Sequence, residues 1–289
     1  MRSLPIVCAA LLASALCLTF PAIAQARQLR VITTISTIAA LARPIAGDDA
    51  VVTSMVPVGA SPETYQPSPA DIIKLHDADI LIENGAGLEA WLARTIGNAK
   101  NPNLRIVVCT DGLPVVAQNP HMWMDPFLAR FYVQKIAGAL QTADLAHSVA
   151  YANRARTYQK ALVSLGDRTN QKLMTIQPPN RVMIVYHNAW EYYARRFGLR
   201  LLGVLETSPG RDPGPSEIAH LVDLAKRYHA RAVFSEPEFS PKLAQALARS
   251  AGIRVVTDLY DDSVGTDPRV ADYIGMIDYD TDVIVNALK

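Results

Sequence analysis

Four polar segments carry whatever chemistry this chain performs. Glu63 lies in Ser61-Pro62-Glu63-Thr64-Tyr65. His121 lies in Asn119-Pro120-His121-Met122-Trp123-Met124-Asp125-Pro126, and His187 in Tyr186-His187-Asn188-Ala189-Trp190. The pair Asp261 and Asp262 follows Asp258-Leu259-Tyr260. Neutral imidazole nitrogens and carboxylate oxygens are common ligands of divalent transition metals, and two of each would fill a four-coordinate site. Taken singly, each residue has a plainer role. Glu63 fits a solvated charge in a proline loop, His121 a hydrogen-bonded loop residue, His187 the start of a helix, and Asp262 a turn or cap. Scattered over roughly 200 residues, they make a site only if the fold gathers them.

The surrounding pattern supplies a way to gather them. Leu29 to Thr34, Val51 to Val56, Asp79 to Glu83 and Arg105 to Thr110 are β-branched, strand-like runs. They alternate with helical spacing at Ile35 to Ala46, about Ser68 to His76, and Leu88 to Ile96. Such alternation predicts βαβ units and a mainly parallel sheet. From Pro126 to Gln177 the sequence is almost wholly helical. Asp144 to Ile176 lacks proline, and a helix of about 33 residues there would span roughly 50 Å before Pro178-Pro179 stops it. The βα pattern then restarts, with strands at Arg181 to Tyr186, Leu199 to Leu205, Ala232 to Ser235 and Ile253 to Asp258. Helices are expected at Ala189 to Phe197, Ser216 to His229, Pro241 to Ser250 and Tyr273 to Leu288. The expected fold class is α/β: two (βα) lobes with mainly parallel sheets, joined by a single long spine helix. The lobes are expected at residues 27–126 and 180–289, with a helical segment at 127–179. Each polar segment then falls just after a strand, two per lobe, where ligands bind in open α/β sheets.

Composition narrows the class. The chain has 289 residues, half of them apolar, with 28 Lys+Arg against 27 Asp+Glu. It can build a large core, and disorder, collagen and coiled-coil repeats are excluded. The near-zero charge argues against a general polyanion binder, so no nucleic-acid partner is expected. Residues 1–26 read as a secretory signal peptide: Arg2, an apolar run from Leu4 to Phe20, Pro21, and small residues allowing cleavage after Ala24 or Ala26. Neither Cys8 nor Cys17 has a lipoprotein-type context, so lipid anchoring is not expected. After cleavage only Cys109 remains, read as a buried hydrophobe on a strand. The four other histidines, His76, His147, His220 and His229, read as solvated or capping residues. No other stretch reaches 18 apolar residues, so the mature protein is expected to be soluble.

The quoted segments also resemble a known family over almost all of the mature chain. Val56 to Leu75 (VPVGASPETYQPSPADIIKL), Ala78 to Leu92 (ADILIENGAGLEAWL), Asn119 to Pro126 (NPHMWMDP), Tyr186 to Leu199 (YHNAWEYYARRFGL), and Asp258 to Gly265 (DLYDDSVG) with the helix after it are similar to the periplasmic metal-binding receptors of zinc and manganese ABC importers. In that group a single long helix joins two lobes. The resemblance implies metal ligands at Glu63, His121, His187 and Asp262, with Asp262 preferred to Asp261 and Asp258 because Asp262-Ser263-Val264-Gly265 fits the family pattern. It implies a transported divalent metal, zinc or manganese with ferrous iron also suited, an ABC permease as partner, a periplasmic location and a monomeric state. Two departures lean away from strict zinc selectivity. Glu63 stands where most relatives have histidine, and the His-rich acidic loop of many zinc-specific relatives is missing, Gly112 to Asn119 being short. The other residues near the ligands are open to several roles: Asp125 and Glu206 as partners of the histidine rings, and Glu236 as such a partner, a docking charge or a cap. Tyr65, Trp123 and Trp190 could wall the site or pack the core.

Two competing functions remain on the residues alone. A secreted metal-dependent hydrolase would need a three-ligand site with Glu63 as general base, but no HExxH or GxSxG motif is present. A metal-chelate receptor, for a siderophore or corrinoid, would need a wider cleft.

Overall fold

The computed structural model describes residues 27–289; the signal-peptide reading concerns residues 1–26 and lies outside them. Strand β1 (Leu29–Thr33) leads into helix α1 (Ser36–Ala46), followed by β2 (Ala50–Ser54), α2 (Pro69–Asp77), β3 (Ile80–Glu83), α3 (Leu92–Ala99) and β4 (Arg105–Val108). Two long helices come next, α4 (Pro126–Ala143) and α5 (Ser148–Leu173). The second run is β5 (Val182–Val185), α6 (Glu191–Phe197), β6 (Arg200–Val204), α7 (Pro215–Arg227), β7 (Ala232–Phe234), α8 (Lys242–Ala251), β8 (Arg254–Val256) and α9 (Tyr273–Leu288).

Each run makes one four-stranded sheet, in the orders β2-β1-β3-β4 and β6-β5-β7-β8, and every strand pair is parallel. The two orders are the same topology used twice, although the sequence shows no short repeat. Parallel strands buried on both faces need continuous apolar runs. Val182 to Val185 (VMIV) supplies one, buried throughout. In both lobes the crossover connections bring all carboxyl ends to one side of the sheet, which is where the polar segments follow.

The connecting helix differs from the sequence expectation in length and in setting. It covers 26 residues, about 39 Å at 1.5 Å per residue. Asp144 cuts its start. Its carboxylate accepts hydrogen bonds from the His147 ring at 2.6 Å and from Tyr151 Oη at 2.9 Å, which favours a short 3-10 turn at Leu145–His147 instead of a continuous helix. The last turn gives way at Met174, ahead of Pro178. The helix is also fastened to both lobes. Near its start Arg154 donates to the carbonyls of Ile45 (2.6 Å) and Ala46 (2.9 Å) and pairs with Asp49 at 2.7 Å. Near its end Arg168 forms a two-pronged pair with Asp278 of α9, at 2.6 to 3.0 Å. Gly166 lets the Phe127 ring of α4 lie against it; a Cβ there would stand 2.4 Å from Phe127 Cε2. One apolar core runs from Ile38 and Leu41 through Tyr132, Leu162 and Leu165 to Tyr193 and Ile284, so both lobes share it.

Cys109 is fully buried directly after β4, and burial pushes its thiol well above the usual range. Among the described residues no helix is long and apolar enough to cross a membrane.

Candidate metal centre

Three of the four expected ligands meet in one place. His121 Nε2 lies 3.4 Å from Asp262 Oδ1, and His187 Nε2 lies 3.7 Å from Asp262 Oδ2. The two imidazole rings stand 5.3 Å apart, near perpendicular. His121, His187 and Asp262 are 2%, 4% and 2% exposed. His121 Nε2, His187 Nε2 and both Asp262 oxygens are nonetheless without a hydrogen-bond partner. Unpartnered buried polar atoms are costly unless something occupies the space between them. Two imidazole nitrogens and a carboxylate oxygen converging within 4.8 Å of one another offer a cation its ligands.

Glu63 stands at the mouth of this cluster. It shares a cavity of about 160 Å³ with His121, His187, Asn119, Asn188, Glu206 and Thr207. Burial raises its carboxyl above the usual range, and nearby Asp262 and Glu206 push the same way against the pull of His121 and His187. Its loop is pinned on both sides. The Trp91 indole donates to the Pro62 carbonyl at 2.8 Å, and Tyr65 Oη donates to Asp71 Oδ2 at 2.8 Å. Asp71 in turn caps α2 by accepting from the Ser68 backbone and hydroxyl, so the turn after β2 is set by the same residues that start the helix. Tyr65 therefore braces the Glu63 loop.

His121 is oriented from behind. Asn119 Oδ1 accepts from the His121 backbone at 2.9 Å and lies 3.0 Å from His121 Nδ1. A proton held on Nδ1 leaves the Nε2 lone pair free for a metal ion shared with Asp262. The amide of Asn119 donates to the Asn188 carbonyl at 2.6 Å, beside His187, and so ties the two lobes. Asn84 holds the same segment by donating to the Pro120 carbonyl at 2.9 Å, while Tyr132 donates to Asn84 at 2.6 Å. Glu89 secures Asn84 from below, accepting from its backbone N–H at 2.8 Å and from Thr34 at 2.6 Å.

His187 follows β5 and Asp262 follows β8. Behind His187 lie Asp261 and Glu236, whose carboxylates approach Nδ1 to 3.5 Å and 3.7 Å. Burial works against a charged ring, but Asp261 first, then Glu236 and Asp262, hold His187 well above its ordinary range. Burial raises Asp261, and the neighbouring carboxylates add to the rise against His187. Asp262 goes the other way: burial opposes it, yet the adjacent His121 and His187 rings keep it below the usual range. Asp258, the third aspartate of this segment, instead accepts from Tyr279 Oη at 2.5 Å.

Two expected supporting roles change. Asp125 does not touch a histidine; it caps α4 through Phe127 N at 2.8 Å and pairs with Arg196 at 2.7 Å. Glu206 lines the mouth of the cavity and accepts from the Gly210 backbone. The partners behind the rings are Asn119, Asp261 and Glu236. Sequence reading missed Asn119, although its place two residues before His121 allows a side chain to reach back to its neighbour's backbone. Trp123 and Trp190 are fully buried and use their N–H groups too, to the Asp261 carbonyl at 2.8 Å and Glu236 Oε1 at 3.0 Å.

Known proteins share this architecture. Residues 31–287 match the family described as zinc-uptake complex component A, periplasmic. The iron-binding protein YfeA of Yersinia pestis is 30% identical over 267 residues, 90% of this chain and 86% of its own length. The manganese-binding lipoprotein MntA of Halalkalibacterium halodurans is 29% identical over 266 residues, 90% of this chain and 89% of its own. A solved Mn-bound periplasmic metal-binding protein from Candidatus Liberibacter asiaticus superimposes with a TM-score of 0.82 at 26% identity, covering 91% of this chain and all of that one. The chain belongs to the zinc-uptake component A family, the substrate-binding proteins of zinc and manganese ABC importers, which are receptors and not enzymes.

Proposed function

We propose that this protein captures one divalent transition metal between its lobes through Glu63, His121, His187 and Asp262, and hands it to the membrane permease of an ABC importer. It acts as a monomer in the periplasm, freed by cleavage of the leader at residues 1–26. The observation that carries the reading is the convergence of His121 Nε2, His187 Nε2 and the Asp262 carboxylate, all buried and none hydrogen-bonded.

Two ligands come from each lobe, so the ion ties β2 and β4 of one sheet to β5 and β8 of the other. Glu63 brings the second negative charge, which with Asp262 neutralises a divalent cation. A His₂-carboxylate₂ set accommodates manganese and ferrous iron as well as zinc. Closure over the ion involves a small tilt, because α5 is fastened to both lobes and the core is continuous. The cavity of about 160 Å³ is below the ~300–1,000 Å³ of pockets for drug-sized ligands, which favours a bare ion over a chelate. A structure of the metal-loaded protein, with anomalous scattering measured at the Mn, Fe and Zn edges, tests the assignment. An ion bonded to all four side chains is expected; an ion held elsewhere, or one bonded to three side chains and a water with Glu63 turned away, overturns it.

A further inference from the structure

Behind His187, on the side away from the proposed ion, sits a second group of buried atoms with no partner: His187 Nδ1, Asp261 Oδ2 and Glu236 Oε2. Each carboxylate is anchored by one oxygen and aims the other at the ring. Glu236 Oε1 takes the Trp190 indole N–H at 3.0 Å, leaving Oε2 3.7 Å from Nδ1. Asp261 Oδ1 takes the Asp262 backbone N–H at 2.5 Å, leaving Oδ2 3.5 Å from Nδ1. All three residues are no more than 4% exposed. The Asp261 carbonyl is held from the other lobe as well, by Trp123 Nε1 at 2.8 Å and Thr37 Oγ1 at 3.2 Å.

We propose that Asp261 and Glu236 are paired positioning residues that hold a proton on His187 Nδ1 and so present Nε2 as the metal-binding lone pair. The inference rests on the ligand role of His187 given above. Imidazole can offer a lone pair at only one nitrogen while the other carries hydrogen, and the acceptor facing one nitrogen selects the other for the metal. Two acceptors face the same Nδ1, so either alone preserves the selection. The anchoring makes the amide variants informative. In Glu236→Gln, the Trp190 N–H claims the amide oxygen and turns the NH₂ toward Nδ1. In Asp261→Asn, the Asp262 N–H does the same. The double variant therefore presents only donors to Nδ1. It favours the tautomer with hydrogen on Nε2, the atom that should bind metal.

The expected result is strongly non-additive. Each single variant should lose less than about tenfold in manganese affinity, and the double variant roughly 10–100-fold, the usual loss when partners behind a ligand are removed. Affinity is read by competition with a chromogenic chelator, using the full mature chain. The second readout is the ¹⁵N shift pair of the His187 ring in the zinc-loaded protein. It should show an Nδ1–H ring in the wild type and both single variants, and a disturbed ring in the double variant. A change in folding alone would not alter the ring's tautomer. His187→Gln is run alongside. If it leaves affinity unchanged, the ligand reading itself fails. If it abolishes binding while E236Q/D261N binds normally with an unaltered ring, the positioning proposal fails and the ligand reading stands. A second equivalent of bound metal that disappears in Glu236→Gln would also overturn the proposal, by showing that the rear cluster holds a cation and not a proton.

Discussion

Asn119 offers a direct test of how the centre is organised, because one side chain serves both lobes. Its oxygen accepts from His121 N and faces Nδ1, and its amide donates to the carbonyl beside His187. Asn119→Ala removes all three contacts at a position only 4% exposed. His121 Nδ1 loses its acceptor, so Nε2 no longer has an enforced lone pair. The expected loss of metal affinity is about 10–100-fold, equivalent to about 1.4–2.7 kcal/mol. The orphaned Asn188 carbonyl adds a separate stability cost of roughly 1–3 kcal/mol. Asn119→Asp separates the two effects. It keeps an acceptor for the ring and loses only the donor to Asn188, so its affinity loss should be smaller than that of the alanine variant while its stability loss is comparable. Affinity comes from chelator competition with manganese, stability from urea unfolding of the metal-free protein. If Asn119→Ala binds manganese within twofold of wild type while unfolding earlier, Asn119 braces the lobes and does not set the His121 tautomer.

Two further outcomes follow from the same geometry. His187 is held well above its ordinary range in the metal-free state, chiefly by Asp261 against the effect of burial, whereas a metal-bound imidazole must be deprotonated at the ligating nitrogen. Binding therefore displaces a proton, and affinity should already fall by about tenfold per pH unit below neutrality, without waiting for the free-histidine value of ~6.5; a competition titration that is flat from pH 8 to pH 5 would refute histidine ligation. Glu63→His should shift the zinc-to-manganese affinity ratio toward zinc, since it exchanges a hard oxygen for imidazole nitrogen. An unchanged ratio in direct competition would mean that Glu63 does not touch the ion.

Much of this arrangement is legible in the sequence because it depends on local signals. The βα alternation reports two parallel sheets, and the ends of those strands report where polar residues converge; His121, His187 and Asp262 meet as that logic requires. The connecting helix is less legible. Nothing in the run from Asp144 to Ile176 forbids a helix, and only the folded contacts of the Asp144 carboxylate with His147 and Tyr151 explain why it begins at Ser148. The partners behind the rings are least legible, since they depend on which way a side chain turns once its neighbours are placed. Asp125 and Glu206 have suitable chemistry and suitable places after strands, yet Arg196 and the Gly210 backbone claim them. Asn119 reaches its ring through a two-residue back-turn, and Glu236 reaches His187 only because Trp190 holds its other oxygen. Ligand types are thus encoded by position along the chain, whereas ligand orientation is encoded by competition among hydrogen-bond partners. Substitutions that leave all four proposed ligands intact but strip a histidine ring of every acceptor behind it should weaken binding by about 10–100-fold.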